Sequence, residues 1–436
     1  IETGYLLVIR TLLVKYGIAE AAALRKSKMI SEQDYEKIKS IIDRVIRFGN
    51  AALFEYTAKL DGVKIKSLRI TDKEIACAYE FVTEEQIKSL EVMKEMLLIN
   101  ESKLLGLLRN LTTISHGIKL ERILKPLESV GCYIPGGLAR YPSTLIMCVI
   151  PAKIAKVKRV VIMSPPHGDG NIDPLTLVAS DICDVDEVYR IGGAQAIAAL
   201  AYGTETISKV DKVVGPGGTY VNIAKLLVSR NVGVDMFAGP TELVVYADAK
   251  ADPKLVSRDL ISQAEHSPDT LCGVVTTSKN IVKRVKICLR NILSDDSLPR
   301  KEVVRQSILN NSFIALCRNS NAAISFINEF APEHLEIICR DPRYISQKIN
   351  SAGVVLEGEY TPSSASDYCL GSNHVLPTLQ VGKYRGGLSV LDFIKIVTHI
   401  SVTKRGLRSV ENFIRELTSM ESLPNHYLAI KERLDG

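Results

Sequence analysis

Four of the seven histidines lie in stretches rich in polar residues and glycine. They are His266 in SQAEHSPD, His334 in FAPEHLEI, His374 in SASDYCLGSNHVLP and His426 in ESLPNHYLAI, with the polar companions Gln263, Glu333, Asp367 and Glu421. A lone histidine is more often structural than a ligand, but oxygen and nitrogen donors without thiolate suit zinc or another first-row divalent ion. These residues therefore indicate a metal-dependent enzyme. The other histidines, His116 and His167 in polar loops and His399 on a predicted helix, are expected to have surface or packing roles.

Two spacings among these residues have chemical meaning. Gln263 and His266 are three residues apart on a predicted helix, so both side chains lie on one face and reach one small target such as a metal ion. Glu333 and His334 are adjacent, so they point to opposite sides of an extended chain, or about 100° apart on a helix. That arrangement suits a separate acid and base.

Three glycine-rich turns, at residues 133–137, 192–195 and 215–220, follow predicted strands. Such turns let the backbone approach a phosphate closely and direct a helix N-terminus at its charge. Each alone is an ordinary α/β connection, and the last, GPGGTY, lacks the final glycine of G-x-G-x-x-G. Three of them at one edge of a single predicted sheet favour a dinucleotide cofactor.

The composition is that of an ordinary folded protein with 46% hydrophobic and 24% charged residues, and 436 residues predict two main lobes. The net charge is +6, but basic and acidic residues alternate, which argues against nucleic acid and suits an anionic small ligand. Nine scattered cysteines without a Cys-x-x-Cys pair predict reduced thiols and a cytoplasmic location. No stretch approaches the ~20 apolar residues of a membrane span, and the N-terminal YLLVIRTLLV lacks the features of a signal peptide.

Strands and helices alternate at short spacing from Val130 onward. Five apolar strands precede residue 240, and a second series begins with ELVVYAD. Apolar strands joined by helices predict parallel sheets that are covered on both faces. We expect an α/β fold with two Rossmann-like parallel-sheet lobes in tandem, preceded by a helical cap and flanked by helical N-terminal and C-terminal arms.

Seven stretches between Gly131 and Thr378 resemble histidinol dehydrogenases. They are VGCYIPGGLARYPST, RIGGAQAIAALAYGTE, VDKVVGPGGTYVNIAK, VGVDMFAGPTELVV, DLISQAEHSPD, FAPEHLEI and SDYCLGSNHVLPT. The resemblance implies a homodimer with exchanged terminal arms that oxidises L-histidinol through L-histidinaldehyde to L-histidine. It also implies two NAD and one water per reaction, one zinc ion per subunit, and the last step of histidine biosynthesis.

The same resemblance implies a domain division and a role for each site residue. The domains would be an N-terminal arm (1–30), a catalytic and metal-binding lobe with a helical cap (31–130 and 241–385), an NAD-binding lobe (131–240) and an exchanged C-terminal helical tail (386–436). Zinc would be bound by Gln263, His266, Asp367 and His426, the last from the partner. Glu333 would activate water and His334 would be the principal base. Thr241, His374 and Glu421, the last also from the partner, would hold the substrate together with the zinc ligands and His334, and Tyr133, Gln195 and Gly218 would line the cofactor site.

Three positions depart from the family pattern. Gly218 stands where asparagine is expected, Cys132 where a larger or charged residue is common, and Pro424 precedes His426 at a position compatible with the first turn of a helix. Two alternatives stay open at this point. One is a related zinc- and NAD-dependent dehydrogenase acting on another polar alcohol, and the other is a two-lobed binding protein that closes on a ligand without chemistry.

Overall fold

The computed structural model describes residues 9–24, 31–136, 140–236 and 239–435. Parts of the predicted N-terminal arm (1–8 and 25–30), residue 137 of the first glycine-rich turn, and residues 237–238 lie outside these ranges. In chain order the strands are β1 Arg10–Val14, β2 Leu111–Ser115, β3 Ile118–Pro126, β4 Ser129–Tyr133, β5 Arg159–Ser164, β6 Glu187–Arg190, β7 Lys212–Val214, β8 Gly233–Val234, β9 Glu242–Ala247, β10 Leu271–Thr276, β11 Phe313–Cys317, β12 His334–Ile338, β13 Val354–Glu357 and β14 Ile394–Val402.

The α-helices follow the same order along the chain. They are α1 Ile18–Leu24, α2 Glu32–Tyr56, α3 Asp72–Ala78, α4 Glu84–Gly106, α5 Pro142–Ile154, α6 Pro174–Ile182, α7 Gly193–Tyr202, α8 Thr219–Val228, α9 Pro253–Ala264, α10 Lys279–Ser294, α11 Lys301–Asn310, α12 Ser320–Phe330, α13 Pro342–Ser346, α14 Ser363–Ser366, α15 Lys404–Met420 and α16 Pro424–Asp435. A short π-helix, Thr57–Asp61, directly follows α2. No helix in the described ranges is long and apolar enough to cross a membrane.

The first lobe is a five-stranded parallel sheet in the order β6-β5-β4-β7-β8. Successive residues of β5 face opposite sides, as strand geometry requires. Val160 and Ile162 pack in the cluster formed with α5 and α6, whereas Val161 and Met163 pack with α7 and α8. Both faces are therefore covered, which explains why the strand is apolar throughout.

The second lobe is a six-stranded parallel sheet in the order β1-β11-β10-β9-β12-β13. Its central strand β9 has the same double burial, with Leu243 in one apolar cluster and Val244 in the other. The prediction of an α/β fold with two parallel-sheet lobes is confirmed. The edge strand β1 comes from the N-terminal arm and pairs Arg10 with Phe313. That strand is absent from the sequence prediction because it is short and exposed along most of its length.

A third, antiparallel sheet has the order β14-β3-β2. Its strand β14 belongs to the predicted helical tail, so that tail is helical only from α15 onward. His399 lies in this strand, paired with Glu121, and not on a helix as expected. The strand remains largely exposed because one of its faces has no cover within the described part of the chain.

The helical cap packs on the first lobe. Ser31 caps α2 as predicted, with its hydroxyl accepting a hydrogen bond from the main-chain NH of Asp34. Ile38 and Val45 of this helix share an apolar cluster with α7, and Leu97 of α4 shares one with α5. This packing differs from the expectation that joined 31–130 to the second lobe, while the domain division as a whole stays a prediction.

Candidate active site

The candidate site residues lie at the amino ends of the strands in the second lobe and at the carboxyl ends of the strands in the first lobe. In the second lobe His334 begins β12 and Thr241 directly precedes β9, so both lie at amino ends of strands. The crossover helix α9 returns towards that edge and carries Gln263 in its last turn. In the first lobe Tyr133 ends β4, and the turn at residues 192–193 follows β6, so both lie at carboxyl ends.

Hydrogen bonds connect the lobes beside these edges. The Thr144 hydroxyl of α5 lies 3.0 Å from Nε2 of His374. The Asn373 side chain donates to the Met147 carbonyl at 2.7 Å. The candidate residues therefore lie in a cleft between the lobes, where a cofactor on one wall can meet a substrate on the other.

Gln263, Thr241 and Glu333 form a hydrogen-bonded chain. The Thr241 hydroxyl donates to Oε2 of Glu333 at 2.6 Å and accepts from Nε2 of Gln263 at 2.8 Å. The same carboxylate oxygen accepts the main-chain NH of Glu242 at 2.8 Å. Glu333 is thus fixed in position, and Gln263 has its amide oxygen left for a ligand because its nitrogen is engaged.

His334 is held between a main-chain carbonyl and a carboxylate. Its Nδ1–H donates to the Glu242 carbonyl at 3.2 Å, and its Nε2 lies 3.2 Å from Oδ1 of Asp367. Burial alone would lower the pKa of His334, but the carboxylates of Glu333 and Asp367 outweigh it and raise this pKa well above its ordinary value. Nε2 is therefore the atom that can exchange a proton at the site.

Asp367 and His374, two of the predicted site residues, lie next to each other. The Nδ1–H of His374 donates to the Asp367 carbonyl at 2.8 Å, which leaves Nε2 facing Thr144. Burial lowers the pKa of His374, so the neutral tautomer is favoured. Burial alone would raise the pKa of Asp367, but the hydrogen bond from His334 and the nearby histidine charges keep it below its ordinary value.

Glu242 is a functional candidate that the sequence reasoning missed. It is 2% exposed, and its carboxylate accepts the main-chain NH of Glu333 at 3.3 Å and of Leu379 at 3.2 Å. Its own NH binds Glu333 and its carbonyl binds His334, so Glu242 contacts both proposed bases. The available signal was an acidic residue at the start of the otherwise apolar strand ELVVYA.

Three predicted site residues are more exposed than the others, and two of them are not joined to the site within one chain. His266 lies just beyond the end of α9, exposed, although its charge is close enough to lower the pKa of Asp367. Glu421 caps the C-terminus of α15, and His426 lies in the first turn of α16, which begins at Pro424 as expected. Glu421 and His426 are both exposed. Within the described residues of one chain, neither side chain forms a hydrogen bond or ion pair with the cleft.

The oxygen and nitrogen donors of the cleft suit zinc chemically, but the set is incomplete in one chain. Within the described ranges no three His, Cys, Asp or Glu side chains are close enough to hold a metal ion. Asp367 and His266 provide two such side chains, and Gln263 adds an amide oxygen. A further imidazole brought by a second chain would give the tetrahedral number of ligands.

The first-lobe edge has features that fit a dinucleotide. Gln195 is fully buried, and neither its Oε1 nor its Nε2 has a hydrogen-bond partner in the described structure. Gly193 has φ +63°, and a side chain there would meet the Gln195 amide. The Tyr133 hydroxyl accepts the NH of Gly193 at 3.1 Å, and burial raises the pKa of Tyr133 to about 12. Buried polar groups without partners are rare, and a ligand with polar groups satisfies them.

The third glycine-rich turn is supported from beneath by an ion pair. Lys225 donates to Asp235 at 2.6 Å and to the Gly215 carbonyl at 2.5 Å, and Asp235 accepts the Gly215 NH at 2.7 Å. Gly218 is the N-cap of α8 and has φ −68°, so its backbone does not require glycine. Lys225 and Asp235 were not predicted, although a lysine inside the apolar helix TYVNIAKLLV was a visible signal.

Comparison with known proteins gives a consistent result. A family model described as histidinol dehydrogenase matches residues 24–434. The histidinol dehydrogenase of Methanocaldococcus jannaschii is 39% identical over 416 residues, covering 95% of this chain and 96% of that protein. The histidinol dehydrogenase of Bacillus thuringiensis is 42% identical over 412 residues, covering 94% and 95% respectively.

A solved structure agrees with these relatives in fold as well as in sequence. Histidinol dehydrogenase from Elizabethkingia anophelis superposes with a TM-score of 0.91 at 33% identity, and the match covers 98% of each chain. Family, fold and sequence identity extend over nearly the whole length. The resemblance drawn from the motifs is therefore confirmed: the chain belongs to the histidinol dehydrogenase family and is an NAD-dependent oxidoreductase.

Proposed function

We propose that this chain oxidises L-histidinol through L-histidinaldehyde to L-histidine with two NAD and one water, the last step of histidine biosynthesis. The observation that carries the proposal is the buried Glu333–His334 pair, held by Thr241 and Asp367 in the cleft. An alcohol, two NAD⁺ and water give a carboxylate, two NADH and three protons. That balance requires proton acceptors for both the hydroxyl group and the water.

Two adjacent bases with different neighbours meet this requirement. His334 is assigned the hydroxyl proton at Nε2, because Nδ1 already donates to the Glu242 carbonyl. It acts as the base in its neutral form, so the proton that Nε2 shares with Asp367 must leave first. Glu333 accepts the proton of the water that attacks the aldehyde, while Thr241 and a main-chain NH orient its carboxylate. Correctly placed acid–base groups accelerate a step by about a hundred- to ten-thousand-fold.

Cofactor and substrate binding are assigned to the two walls of the cleft. NAD would be held by Tyr133, Gln195 and the turn at Gly218, and would supply the hydride acceptor for each oxidation. One zinc ion per subunit would be held by Gln263, His266, Asp367 and the partner's His426, and would supply a Lewis acid that anchors the imidazole and amine of the substrate. Thr241, His374 and the partner's Glu421 complete substrate binding together with His334 and the zinc ligands.

The surface of the C-terminal segment supports the proposal of a homodimer with exchanged tails. Phe413, Leu417 and Met420 recur along α15 at helical spacing and are 69%, 56% and 78% exposed. Ile396 and Ile400 of β14 are 65% and 66% exposed. Apolar faces of this kind are normally buried against a partner. A second copy that covers them would also bring Glu421 and His426 to a cleft.

The cellular setting is a further part of the proposal. All nine cysteines are free in the described structure, and most are buried. Disulfides are rare in reducing compartments, which favours the cytoplasm.

NADH yield and metal content together test the proposed reaction. With limiting histidinol, the purified chain should form two NADH per substrate consumed and contain about one zinc per chain. Turnover of other polar alcohols, with none of histidinol, would support the related dehydrogenase instead. No zinc and no turnover would support a binding protein.

An alanine variant tests the metal assignment separately. Asp367→Ala should lose zinc and activity together, since removing a ligand lowers metal affinity by about tenfold or more. Asp296→Ala is the matched control because its side chain is fully exposed and pairs only with Lys301. Unchanged zinc content in Asp367→Ala would remove Asp367 from the ligand set.

A further inference from the structure

Several buried polar atoms without hydrogen-bond partners lie in the first lobe, on either side of its second glycine-rich turn. In the described structure they include Oδ2 of Asp61 and both amide atoms of Gln195. Asp61 ends the π-helix that follows α2, so it comes from the helical cap, far upstream of the turn in sequence. Short π-helices occur frequently at functional sites. Unpaired buried groups indicate an interaction that a ligand completes.

The Asp61 carboxylate lies over the carboxyl ends of the first-lobe strands. Its Oδ1 is 3.4 Å from the point that a Cβ on Gly192 would occupy, and Cβ of Pro165 is 2.5 Å from the same point. Pro165 follows β5 and Gly192 follows β6. The Asp61 charge also acts on Tyr133 at the end of β4. Asp61 therefore shares the edge already assigned to the cofactor.

Within the described ranges the Asp61 carboxylate forms no ion pair, and Arg190, the cation that ends β6, is engaged by Glu74 and the Gly170 carbonyl. Burial is the cause that raises the pKa of Asp61 to about 6, and no basic group offsets it. A buried carboxylate is costly unless hydrogen-bond donors reach it. Hydroxyl groups of a neutral sugar would supply such donors without adding negative charge, whereas a phosphate group would be repelled.

In dinucleotide-binding sheets, an acidic residue near the second strand binds the ribose of the adenosine half. The second strand of this lobe is β5, and the first acidic residue after it is Asp169. Asp169 is exposed and already accepts hydrogen bonds from the main-chain NH and the side chain of Asn171. Asp61 lies beside Pro165, which follows β5, and its buried Oδ2 has no hydrogen-bond partner in the described structure.

We infer that Asp61 binds the adenosine ribose hydroxyls of NAD and excludes the 2′-phosphate of NADP. This inference rests on the proposed cofactor edge and adds a specificity-determining residue supplied by the helical cap. The acidic residue reaches the ribose from outside the sheet because Asp173, the buried acid of the loop after β5, is already engaged by Arg140 and by the main-chain NH of Thr176.

Equilibrium binding of NADH and NADPH to the full chain, measured separately by calorimetry, tests the inference without relying on turnover. The unaltered chain should bind NADH at least about tenfold more tightly than NADPH. Asp61→Asn and Asp61→Ala should each weaken NADH binding by about tenfold and bring the two affinities within a few fold, because charge-assisted hydrogen bonds and phosphate repulsion are both lost.

Matched variants separate the inference from the proposed cofactor edge. Asp181→Asn removes one carboxylate from the same lobe, but it lies on the C-terminal turn of α6, which returns to the amino edge of the sheet, and should change neither affinity. Gln195→Ala should weaken both coenzymes equally. An unchanged NADH to NADPH ratio in both Asp61 variants, with Gln195→Ala still weakened, overturns the role of Asp61 alone. If Gln195→Ala also binds NADH and NADPH normally, the assignment of this sheet edge to the cofactor is wrong, and the inference about Asp61 is wrong as well.

Thermal unfolding of each variant identifies a folding defect. Asp61→Asn preserves the size and shape of the side chain, so this variant decides the matter if Asp61→Ala does not fold. A selective loss of NADH affinity in folded Asp61→Asn supports the inference, and equal losses for both coenzymes overturn it.

Discussion

The Thr241 hydroxyl lies 2.6 Å from Oε2 of Glu333 and directs its hydrogen towards that carboxylate. Because the same hydroxyl accepts a hydrogen bond from Gln263, it connects the proposed water-activating base to a proposed zinc ligand. The orientation of the Gln263 amide is fixed by this relay, since Thr241 can accept only from the nitrogen. One hydroxyl group thus positions Glu333, which directly precedes β12, and Gln263 of α9 at once.

Replacing Thr241 tests this relay. Thr241→Val keeps the shape of the side chain but removes the donor to Glu333 and the acceptor for Gln263. We expect kcat to fall about tenfold to a hundredfold, because a charge-assisted hydrogen bond to a catalytic group is lost. Steady-state kinetics with histidinol, together with zinc content, measure the effect.

Thr241→Ser is the control for the same position, since it retains the hydroxyl group. It should keep kcat within a few fold of the unaltered enzyme. Equal activity of the valine and serine variants would show that the hydroxyl does not orient Glu333.

The sequence predicted the chemistry of Glu333 and His334 because their types and adjacency are local properties. It did not predict that this pair lies at the amino end of β12 in one sheet, whereas Tyr133 lies at the carboxyl end of β4 in the other. The relative orientation of two sheets depends on packing between lobes, which no motif spacing records. Glu242 was missed for a related reason: its role appears only when β9 and β12 become neighbours.

The termini show the same limit. The strand β1 has only one neighbour, so its sequence carries a weak pattern and it was described as an arm. β14 lies within the segment that was expected to be a helical tail, although the β-branched residues of IKIVTHISV favour a strand. The places of Glu421 and His426 depend on a surface outside a single chain, so they stay predictions.

Buried Glu336 should make stability depend on pH in an unusual direction. It is 1% exposed on β12, its Oε1 accepts the Ser363 NH at 2.5 Å, and Oε2 has no partner in the described structure. Burial first, and the Asp259 charge second, raise the pKa of Glu336 to about 8. The native state therefore holds a proton that the unfolded chain releases above about pH 4.3, and stability falls as pH rises from there to about 8.

Glu336→Gln retains the shape and removes the ionisation. Relative to the unaltered chain it should gain about 1–3 kcal/mol of unfolding free energy at pH 8, with little difference at pH 4.5. Urea unfolding at both pH values and one protein concentration measures this. Glu416→Gln, at a side chain that is 67% exposed, should leave both values unchanged. Parallel pH profiles for the Glu336 variant and the unaltered chain would mean that Glu336 is ionised when folded.

Gly218 gives a prediction about the departure from the family pattern. With φ −68° and no atom within 4 Å of an added Cβ, the position accepts asparagine without strain. Asparagine is also a favoured N-cap residue, so Gly218→Asn should stabilise the protein by roughly a few tenths of a kcal/mol. If the introduced asparagine contacts the cofactor, NADH should bind more tightly to this variant. Calorimetry measures the NADH affinity. Gly218→Ala is the control, and equal affinities for both variants would assign no contact to the asparagine.

The origin of His426 can be decided by mixing defective chains. If α16 reaches the partner's cleft, a heterodimer of His334→Ala and His426→Ala chains contains one whole site. It combines the intact cleft of one chain with the intact tail of the other. Heterodimers purified through two different tags should therefore recover about half of the unaltered activity, whereas each homodimer is inactive.

The reverse pairing makes the opposite prediction and completes the test. A chain carrying both His334→Ala and His426→Ala, paired with an unaltered chain, has no whole site if tails are exchanged. Its one intact cleft receives the altered tail. If each tail instead returns to its own subunit, this second heterodimer keeps about half of the activity and the first keeps none. The first heterodimer is active only if the tails are exchanged, and the second is active only if they are not. A general loss of stability would reduce the activity of both and so cannot produce either result.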